Sequence, residues 1–421
     1  MKNLDEWLEY QLTLNPKEID LSLDRLTEVK EILNFTQPDI KIFLVAGTNG
    51  KGTTCQFIQD FLIQKGLNVG TYTSPHLIKY NERVKFNNKN VEDSELIESF
   101  DFIEKRRKDI PLTYFEYGTL GAFLTLSSMP CDAWVIEVGL GGRLDATNIL
   151  EPTITIITSI SMDHQDWLGD DIESIAREKA GIIKNEVPCI SSASNVSNVI
   201  SDYAEKHNSV LYEVNKDYFI EKSEGGYIWQ FKDSVIYQNI LIPNHWGQGE
   251  INNLSTSLAA IHASDNKLLP EIKGLNLMIS DFSLPGRFHI IEKSPPWILD
   301  VAHNYESVIN FSKRLDAHGI SGDILIIFAM MKDKDIENCI KIFKNRVKDW
   351  IITGLESSRA SSVAEISMYL KGENISNIIK ATNPIDAFYK ADKISHNYDA
   401  VIVIGSFELV GPAINWHQEK L

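Results

Sequence analysis

A glycine-rich turn between a short apolar run and a helix-like segment constrains the fold of this chain more than any other feature. The apolar run is residues 41–46, KIFLVA, and the turn is residues 47–54, GTNGKGTT. The helix-like segment that follows ends at Lys65-Gly66, because glycine is a typical helix C-terminal residue. Strand, glycine-rich turn and helix in this order predict a phosphate-binding loop, since backbone N–H groups and a helix N-terminus favour bound anions.

The loop offers a bound nucleotide both a positive charge and hydroxyl groups. Lys51 can bridge the β- and γ-phosphates, and Thr53 or Thr54 can give a hydroxyl to Mg²⁺. The spacing differs from the usual G-x-x-x-x-G-K-[ST] loop, because Gly52 separates the lysine from the threonines. A guanine-specific GTPase is not indicated, since residues 215–218, NKDY, place the acid too early for an N-K-x-D motif.

Apolar runs alternate with helical patterns along the chain, and this alternation predicts the fold class. Such a series gives a mostly parallel sheet that helices cover on both faces. The chain has 421 residues, and chains longer than about 250–300 residues usually split into domains. Strands are predicted at 41–46, 68–73, 133–138 and 153–158, and in a second series at 297–300, 324–330, 350–353 and 401–404.

We therefore predict an α/β protein of two domains. The first, residues 1–284, is a P-loop domain with a doubly wound, mostly parallel sheet. The second, residues 285–421, is a smaller Rossmann-like α/β domain, in which a helix ends at His318 before Gly319. Pro285-Gly286 is a turn signal between the two series, so the hinge is expected there. Residues 210–245 are β-rich, and their pattern assigns them no role.

Composition excludes several classes of partner and location. The formal net charge is −17, which repels nucleic acid and anionic membranes. The start, MKNLDEWLEY, lacks the apolar region of a secretory signal, and no apolar run approaches the length of a transmembrane helix. The four cysteines form no C-x-x-C pair, so no zinc site or disulfide framework is indicated. We expect a cytoplasmic protein, and we expect it to be a monomer.

Side chains that can hold Mg²⁺ follow several of the predicted strands. Glu137 ends one strand, and Ser74 and His164 come after two others. The carboxyl ends of parallel strands face the ligand crevice, and Mg²⁺ prefers oxygen ligands while keeping several waters. Glu137 can bind the metal, orient a metal-bound water or cap the next turn. His164 and Ser74 can bind the metal, or can be a structural hydrogen-bonding residue and a turn residue, respectively.

Several motifs in one order resemble a known family. They are GTNGKGTT, TSPHLIKYNERV, LTYFEYGTL, EVGLGGRLDATN, SMDHQDWLG, REKAG, LPGRF and DVAHN. As a set, from about Ile19 to Phe407, they resemble the folylpolyglutamate synthase family of the Mur ligase superfamily, in particular its bifunctional bacterial dihydrofolate synthases. The resemblance implies an ATP- and Mg²⁺-dependent ligase that joins L-glutamate to dihydropteroate and extends reduced folates with further glutamates.

The resemblance also implies roles for individual residues. His303, with Asn304 beside it, would lie near the activated acid and the incoming glutamate. Lys179, in REKAG, matches a lysine that family members carbamylate, which would help to hold a second Mg²⁺. The catalytic residues would be Lys51, Lys179 and His303. The ATP-binding residues would be Thr48, Asn49, Gly50, Lys51, Gly52, Thr53, Asn253, Arg287 and Asp300. The Mg²⁺ ligands would be Ser74, Glu137, His164 and Lys179. The pterin-side residues would be Glu18, Ile19, Asp20, Leu21, Thr113, Tyr114, Phe115, Glu116, Leu144, Asp145 and Ala146.

The chemistry expected of such an enzyme explains why ATP is needed. A carboxylate does not react with an amine at neutral pH, because oxide is a poor leaving group. ATP converts the acid into an acyl phosphate, which the amine of glutamate then attacks. The alternatives are a monofunctional member of the family, a Mur cell-wall ligase and a non-catalytic ATP-binding sensor. The cell-wall ligase is disfavoured, because the P-loop near residue 47 leaves no room for its extra N-terminal domain.

Overall fold

The structure, a computed structural model, describes residues 2–17 and 19–420. Over these residues, helices and strands alternate along most of the chain. The α-helices are α1 (Leu4–Leu14), α2 (Asp24–Ile32), α3 (Lys51–Gln64), α4 (Asp93–Glu104), α5 (Tyr114–Ser127), α6 (Gln165–Leu168), α7 (Ile172–Ala180), α8 (Ser197–Lys206), α9 (Gln248–Asp265), α10 (Ile272–Asp281), α11 (Tyr305–Ala317), α12 (Ile336–Phe343), α13 (Val363–Gly372), α14 (Pro384–Ile394) and α15 (Phe407–Gln418).

The strands form separate sheets in different parts of the chain. Short 3₁₀ turns lie at Tyr80–Arg83, Ala146–Ile149, Ser194–Val196, Asn266–Leu268 and Ser395–Asn397. The strands are β1 (Lys41–Ala46), β2 (Val69–Tyr72), β3 (Val84–Phe86), β4 (Lys89–Asn90), β5 (Ala133–Glu137), β6 (Ile154–Ile157), β7 (Cys189–Ser191), β8 (Leu211–Glu213), β9 (Tyr218–Ser223), β10 (Gly226–Phe231), β11 (Ser234–Ile240), β12 (His289–Ile291), β13 (Trp297–Asp300), β14 (Ile324–Phe328), β15 (Val347–Ile352), β16 (Ile378–Lys380) and β17 (Ala400–Ile404).

The largest sheet confirms the predicted doubly wound architecture. Its strand order is β4-β3-β2-β5-β1-β6-β7-β8. Neighbouring strands from β2 to β8 are parallel, whereas β3 and β4 add an antiparallel edge. Every residue of β5 and β6 is buried, as expected for parallel strands covered on both faces. Since β1 lies between β5 and β6, the turn after β1 emerges beside the carboxyl ends of both.

A second α/β sheet has its own core. Its order is β12-β13-β17-β14-β15-β16, in which only β12 is antiparallel to its neighbour. Ile298, Ile326 and Ile402 on its central strands are fully buried together with Phe311 and Phe343 from the covering helices. This arrangement is the smaller Rossmann-like unit that the second strand series predicts.

The described residues divide into two compact units, and the division is not a single cut in the sequence. Two short segments that precede residue 279 belong to the second unit. The boundary after residue 284 and the hinge at Pro285-Gly286 therefore stay predictions. The first unit takes in the described residues up to Ser161, with Leu168–Leu241 and Asn252–Met278, and the second takes in Met162–Trp167, Ile242–Ile251 and the described residues from Ile279 onward.

Predicted and observed elements agree closely where local signals are strong. The strand at 297–300 has the predicted bounds. Helix α3 ends at Gln64, followed by Gly66 at φ +83, and α11 ends at Ala317, followed by Gly319 at φ +70. Both glycines adopt the left-handed conformation that ends many helices. Among the described residues, no helix is both long and apolar enough to cross a bilayer.

The β-rich segment around residues 210–245 packs on the part of α9 that belongs to the first unit. Strands β9, β10 and β11 form an antiparallel sheet, and Trp229 on β10 is fully buried. Its indole Nε1 donates to Ser255 Oγ on α9 at 3.0 Å. The Tyr218 hydroxyl lies 3.2 Å from Thr256 Oγ1 on the same helix. Because buried hydroxyls need hydrogen-bond partners, these aromatic side chains fix α9 against the sheet.

This packing predicts a large stability difference between two positions of the small sheet. Trp229→Ala should lower the free energy of unfolding by about 3–5 kcal/mol, because it leaves a cavity and an unpaired Ser255 hydroxyl. Val235→Ala on β11, where the side chain is 47% exposed, should change it by less than about 0.5 kcal/mol. Urea unfolding followed by circular dichroism measures both, and equal effects would contradict the packing role.

Candidate active site

Two glycines give the predicted phosphate loop its shape. Gly47 has φ +147, and a Cβ there would lie 1.8 Å from Thr158 Oγ1. Gly50, the N-cap of α3, has φ +90, and a Cβ there would lie 2.3 Å from Asn253 Oδ1. Only glycine combines these backbone conformations with so little space. Asn253, which lies far away in sequence, is therefore packed directly against the loop.

Two lysines converge on the carbonyl oxygen of Gly47. Lys51 Nζ donates to the carbonyls of Gly47 and Thr48, both at 3.2 Å. Lys179 on α7 is buried, and its Nζ donates to the Gly47 carbonyl at 2.9 Å. A helix N-terminus and two ammonium groups together make this turn strongly attractive to anions.

The rest of the loop is tied to the end of β6. The backbone N–H of Thr48 donates to the Ser159 carbonyl at 2.7 Å, and its hydroxyl donates to the Ser161 carbonyl at 3.2 Å. Asn49 Nδ2 lies 3.4 Å from Ser161 Oγ. Thr53 keeps some accessible surface, whereas the adjacent Thr54 is fully enclosed. Of the two threonines, Thr53 is therefore the better placed to offer its hydroxyl to a ligand.

Glu137 and Ser74 meet at the carboxyl ends of β5 and β2. The Glu137 side chain is buried, and its Oε2 accepts a hydrogen bond from the backbone N–H of Ser74 at 3.1 Å. A Cβ on Gly52 would lie 3.6 Å from the same oxygen, so the carboxylate faces the first turn of α3. No group of three or more His, Cys, Asp and Glu side chains that could hold a metal occurs among the described residues. Glu137 is a hard oxygen donor of the kind that Mg²⁺ prefers.

In the second unit, Asp163 is the centre of a polar cluster. Its Oδ1 accepts from Lys334 Nζ at 2.6 Å, and its Oδ2 accepts from Asn304 Nδ2 at 3.2 Å and lies 3.7 Å from His303 Nε2. Burial alone would raise the pKa of Asp163, but bonding to His303 and the charges of His164 and Lys334 hold that pKa well below its usual range. Asp163 is therefore an anion that fixes His303 in place.

Asp300 and Arg287 precede His303 in the chain and belong to the same unit. The Asp300 carboxylate accepts from the backbone N–H groups of Phe288 and Ala302, at 2.7 and 2.8 Å. Burial raises the pKa of Asp300 against the opposing effect of Arg287. The Arg287 guanidinium lies 5.4 Å from the centre of the Phe407 ring. The Asp300 carboxylate thus joins the start of β12 to the end of β13 at the open end of the hairpin.

The pterin-side residues predicted from the resemblance form a network in the first unit, and Arg25 connects it. Arg25 Nη1 donates to Asp20 Oδ2 at 2.7 Å, and Arg25 Nε donates to Glu116 Oε2 at 2.9 Å. The same Glu116 oxygen accepts from the N–H and hydroxyl of Thr113, the N-cap of α5. Glu116 Oε1 is buried and has no hydrogen-bond partner within the part of the chain that the structure describes. The segments around Asp20 and Thr113 are thus brought together.

The remaining pterin-side residues have mixed roles. Asp145 is buried, and its carboxylate accepts from the N–H groups of Leu140 and Thr147, so it organises its own loop. Phe115 packs against Gly139, where a Cβ would lie 2.4 Å from its ring. Glu18 lies outside the described residues. Of the others, Ala146 is buried, and Ile19, Leu21, Tyr114 and Leu144 keep part of their surface accessible.

Sequence reasoning missed Arg25, Asp163 and Lys334. Lys334 lies in the charged run KDKD at 332–335, which follows closely on the buried strand β14. A run of charged residues at the carboxyl end of a buried strand predicts that these residues face the ligand crevice, so Lys334 could have been identified from the sequence. Arg25 carried no such signal, because its partner Glu116 lies in a distant segment.

The fold and the site together define a class of protein. A P-loop at the carboxyl edge of a parallel sheet, with buried lysine and glutamate beside it, characterises a nucleotide-binding α/β enzyme. The family models for the Mur ligase middle domain and the Mur ligase glutamate ligase domain match residues 45–261 and 286–407. The chain belongs to the Mur ligase family, and within it to the folylpolyglutamate synthases, which are ATP-dependent amide-bond-forming ligases.

Individual relatives match over nearly their whole length. The dihydrofolate synthase/folylpolyglutamate synthase of Escherichia coli is 38% identical over 414 residues, which are 97% of this chain and 94% of the relative. The Bacillus subtilis protein of the same name is 30% identical over 426 residues, with 96% of each chain covered. The solved structure of E. coli FolC with DHPP and ADP has a TM-score of 0.91 at 35% identity, covering 100% of this chain and 98% of the other. The Yersinia pestis bifunctional enzyme with AMPPNP and Mn has a TM-score of 0.89 at 36% identity, covering 99% and 98%.

The loop geometry predicts opposite results for two glycines of similar backbone conformation. Gly50→Ala should weaken ATP binding by at least about tenfold, because its Cβ would displace Asn253 and strain the turn. Gly66→Ala, at φ +83 and with no atom within 4 Å of its Cβ, incurs the backbone strain without the clash and should bind ATP normally. Nucleotide titration calorimetry measures both, and equal affinities would contradict the role of the loop.

Proposed function

We propose that this chain joins L-glutamate to dihydropteroate, forming dihydrofolate, and adds further glutamates to tetrahydrofolate. The observation that carries the proposal is the convergence of Lys51 and Lys179 on Gly47 beside the buried Glu137. This arrangement suits the transfer of a phosphoryl group from ATP to a carboxylate, which depends on positioning and charge neutralisation. The names of the relatives, and the DHPP, AMPPNP and L-glutamate in their structures, support the choice of substrates.

The residues of the loop fit a bound ATP. Gly47 and Gly50 leave space that a side chain would fill, and Lys51, now bonded to backbone carbonyls, can turn its ammonium group towards phosphate. Thr48, Asn49, Gly52 and Thr53 would contact the phosphates. Asn253 is packed on the loop and is our candidate for a further contact to the nucleotide, together with Arg287 and Asp300 of the second unit.

The residues also fit Mg²⁺, which would neutralise phosphate charge. Glu137 and the hydroxyl of Ser74 are hard oxygen donors, and we propose His164 as a third ligand. Lys179 is buried and would need a carbamate to become an oxygen donor for a second Mg²⁺. In the second unit, we propose that His303, held by Asp163, faces the activated acid and the amine of glutamate.

The pterin-side network favours a bifunctional enzyme over an enzyme with only one of the two ligase activities. Asp20, Glu116 and the linking Arg25 provide polar groups suited to a pterin ring. An ATP-binding sensor would not need Lys51, Glu137 and Lys179 together at one sheet edge. We further propose that the protein acts as a cytoplasmic monomer.

The decisive assay is glutamate-dependent ADP formation with each acceptor, followed by product mass. Dihydropteroate should gain the mass of one glutamyl residue, and tetrahydrofolate should gain one or more. Lys51→Ala should reduce turnover with both acceptors to background, because the charge at the phosphates is lost. ADP formation with only one acceptor would leave a monofunctional ligase, and ADP formation with neither would reject the function.

The role of Lys179 predicts a specific chemical rescue. Lys179→Ala should lower kcat by at least about 100-fold, because a metal-binding carbamate would be lost. Short carboxylic acids such as acetate should restore part of the rate by supplying the missing oxygens. Lys184→Ala, at a partly buried lysine that bonds the Asn148 carbonyl, is the matched control and should not respond to acetate. Full activity of Lys179→Ala without rescue would contradict the carbamate.

A further inference from the structure

Arg83 of the first unit is a buried cation with no carboxylate partner in residues 2–17 and 19–420. It ends the 3₁₀ turn Tyr80–Arg83 and is 9% exposed. Its Nε donates to His76 Nδ1 at 2.9 Å. The guanidinium lies over the rings of Tyr80 and Tyr114, at 5.2 and 5.6 Å from their centres. Among the described residues, none forms an ion pair with Arg83.

The immediate neighbours of Arg83 are uncharged at neutral pH. His76 Nδ1 accepts the hydrogen bond from Arg83 Nε, so this nitrogen carries no proton and the imidazole is neutral. Burial raises the pKa values of Tyr80 and Tyr114 above their ordinary range, so both phenols keep their protons. A neutral imidazole and neutral phenols can accept or stack, but they cannot balance a full positive charge.

The nearest acid in sequence is engaged elsewhere. Glu82 accepts from the backbone N–H groups of Leu77, Ile78 and Lys79, at 2.8, 3.0 and 2.8 Å. Its carboxylate therefore shapes the loop that follows Ser74 and does not pair with Arg83. Burying an unpaired charge is costly, so the position calls for an anion that the described residues do not supply.

The residues that contact Arg83 indicate which ligand would supply the anion. The Arg83 carbonyl accepts from the N–H of Thr73 at 2.9 Å, and the next residue, Ser74, bonds Glu137 at the edge where phosphate and metal would bind. On the other side, Tyr114 belongs to the segment 113–116, which contains Glu116 of the pterin-side network. Arg83 thus contacts both the pterin-side segment, through Tyr114, and the strand end that precedes Ser74, through Thr73.

We propose that Arg83 binds the carboxylate of the acceptor substrate and holds it for reaction. This proposal rests on the proposed function, because it takes the acceptor to be a pterin with an acid at its far end. Arginine suits this task, since its planar guanidinium matches a carboxylate with two parallel hydrogen bonds. His76 accepts from Nε and the Tyr72 phenol is a further side-chain partner, so the guanidinium keeps its positive charge for a ligand carboxylate.

The test compares dihydropteroate with its carboxamide, which has the same shape and no negative charge. Titration calorimetry on the AMPPNP-bound full chain should show that the wild type prefers the acid by about 10- to 100-fold. Arg83→Gln should reduce that preference to less than about threefold. Arg106→Gln, at an exposed arginine stacked on Phe102, removes the same charge and should keep the wild-type preference.

A stability measurement separates ligand binding from a structural role. Arg83→Met should keep or raise the Tm of the ligand-free protein, because it removes an uncompensated buried charge. A Tm lowered by several degrees, together with equal losses for acid and amide, would assign Arg83 to structure and overturn the proposal. A raised KM for glutamate with unchanged acceptor binding would likewise overturn it.

The result also distinguishes this proposal from the proposed function. If wild-type protein forms dihydrofolate but Arg83→Gln keeps the full preference for the acid, only the role of Arg83 fails. If the wild type neither binds nor converts dihydropteroate or tetrahydrofolate, the function itself fails.

Discussion

The carbonyl oxygen of Gly47 accepts hydrogen bonds from two ammonium groups, and the site depends on this interaction. Lys51 and Lys179 reach it from different helices, at 3.2 and 2.9 Å. Two cations so close together repel each other, and one carbonyl dipole compensates for only part of that repulsion. A polyanion in the loop would relieve it, and so would conversion of Lys179 to the proposed carbamate, which removes one of the two positive charges. A chain with net charge −17 can thus bind anionic substrates through local charge instead of its overall field.

The sheet topology makes this interaction possible. Strand β1 lies between β5 and β6, so the turn that contains Gly47 emerges beside the ends of both. Thr158, just after β6, occupies the space in which a Cβ of residue 47 would lie, and Glu137 ends β5. Parallel strands bring these residues to one edge although they are distant in sequence. The antiparallel strands β9–β11 contribute from outside by fixing α9, the helix that carries Asn253.

The sequence predicts what is encoded locally, and it misses what depends on distant contacts. The P-loop, the strand bounds at 297–300 and the acid at Glu137 follow from adjacent residues, so pattern and spacing suffice. Arg25 joins Glu116 across 91 positions, and Lys334 joins Asp163 across 171. No periodicity relates such positions, since only the folded sheet and its helices bring them together. The division into units shows the same limit, because residues 162–167 and 242–251 pack with a core that is formed by later sequence.

Two buried arginines of the first unit, Arg107 and Arg83, differ in how their charge is balanced. Arg107 uses its guanidinium fully, with Nε and Nη2 donating to Glu104 at 2.7 and 2.9 Å and Nη1 donating to the Ile110 carbonyl at 2.8 Å. Such pairing is what burial of a charge requires. Arg83 is buried to a similar degree, yet its side-chain hydrogen bonds within the described residues go to the imidazole of His76 and the phenol of Tyr72, and neither is a carboxylate. Folding alone does not explain that difference, because an apolar side chain of the same size would fill the position at lower cost. The unbalanced charge is therefore explained by what the site must bind.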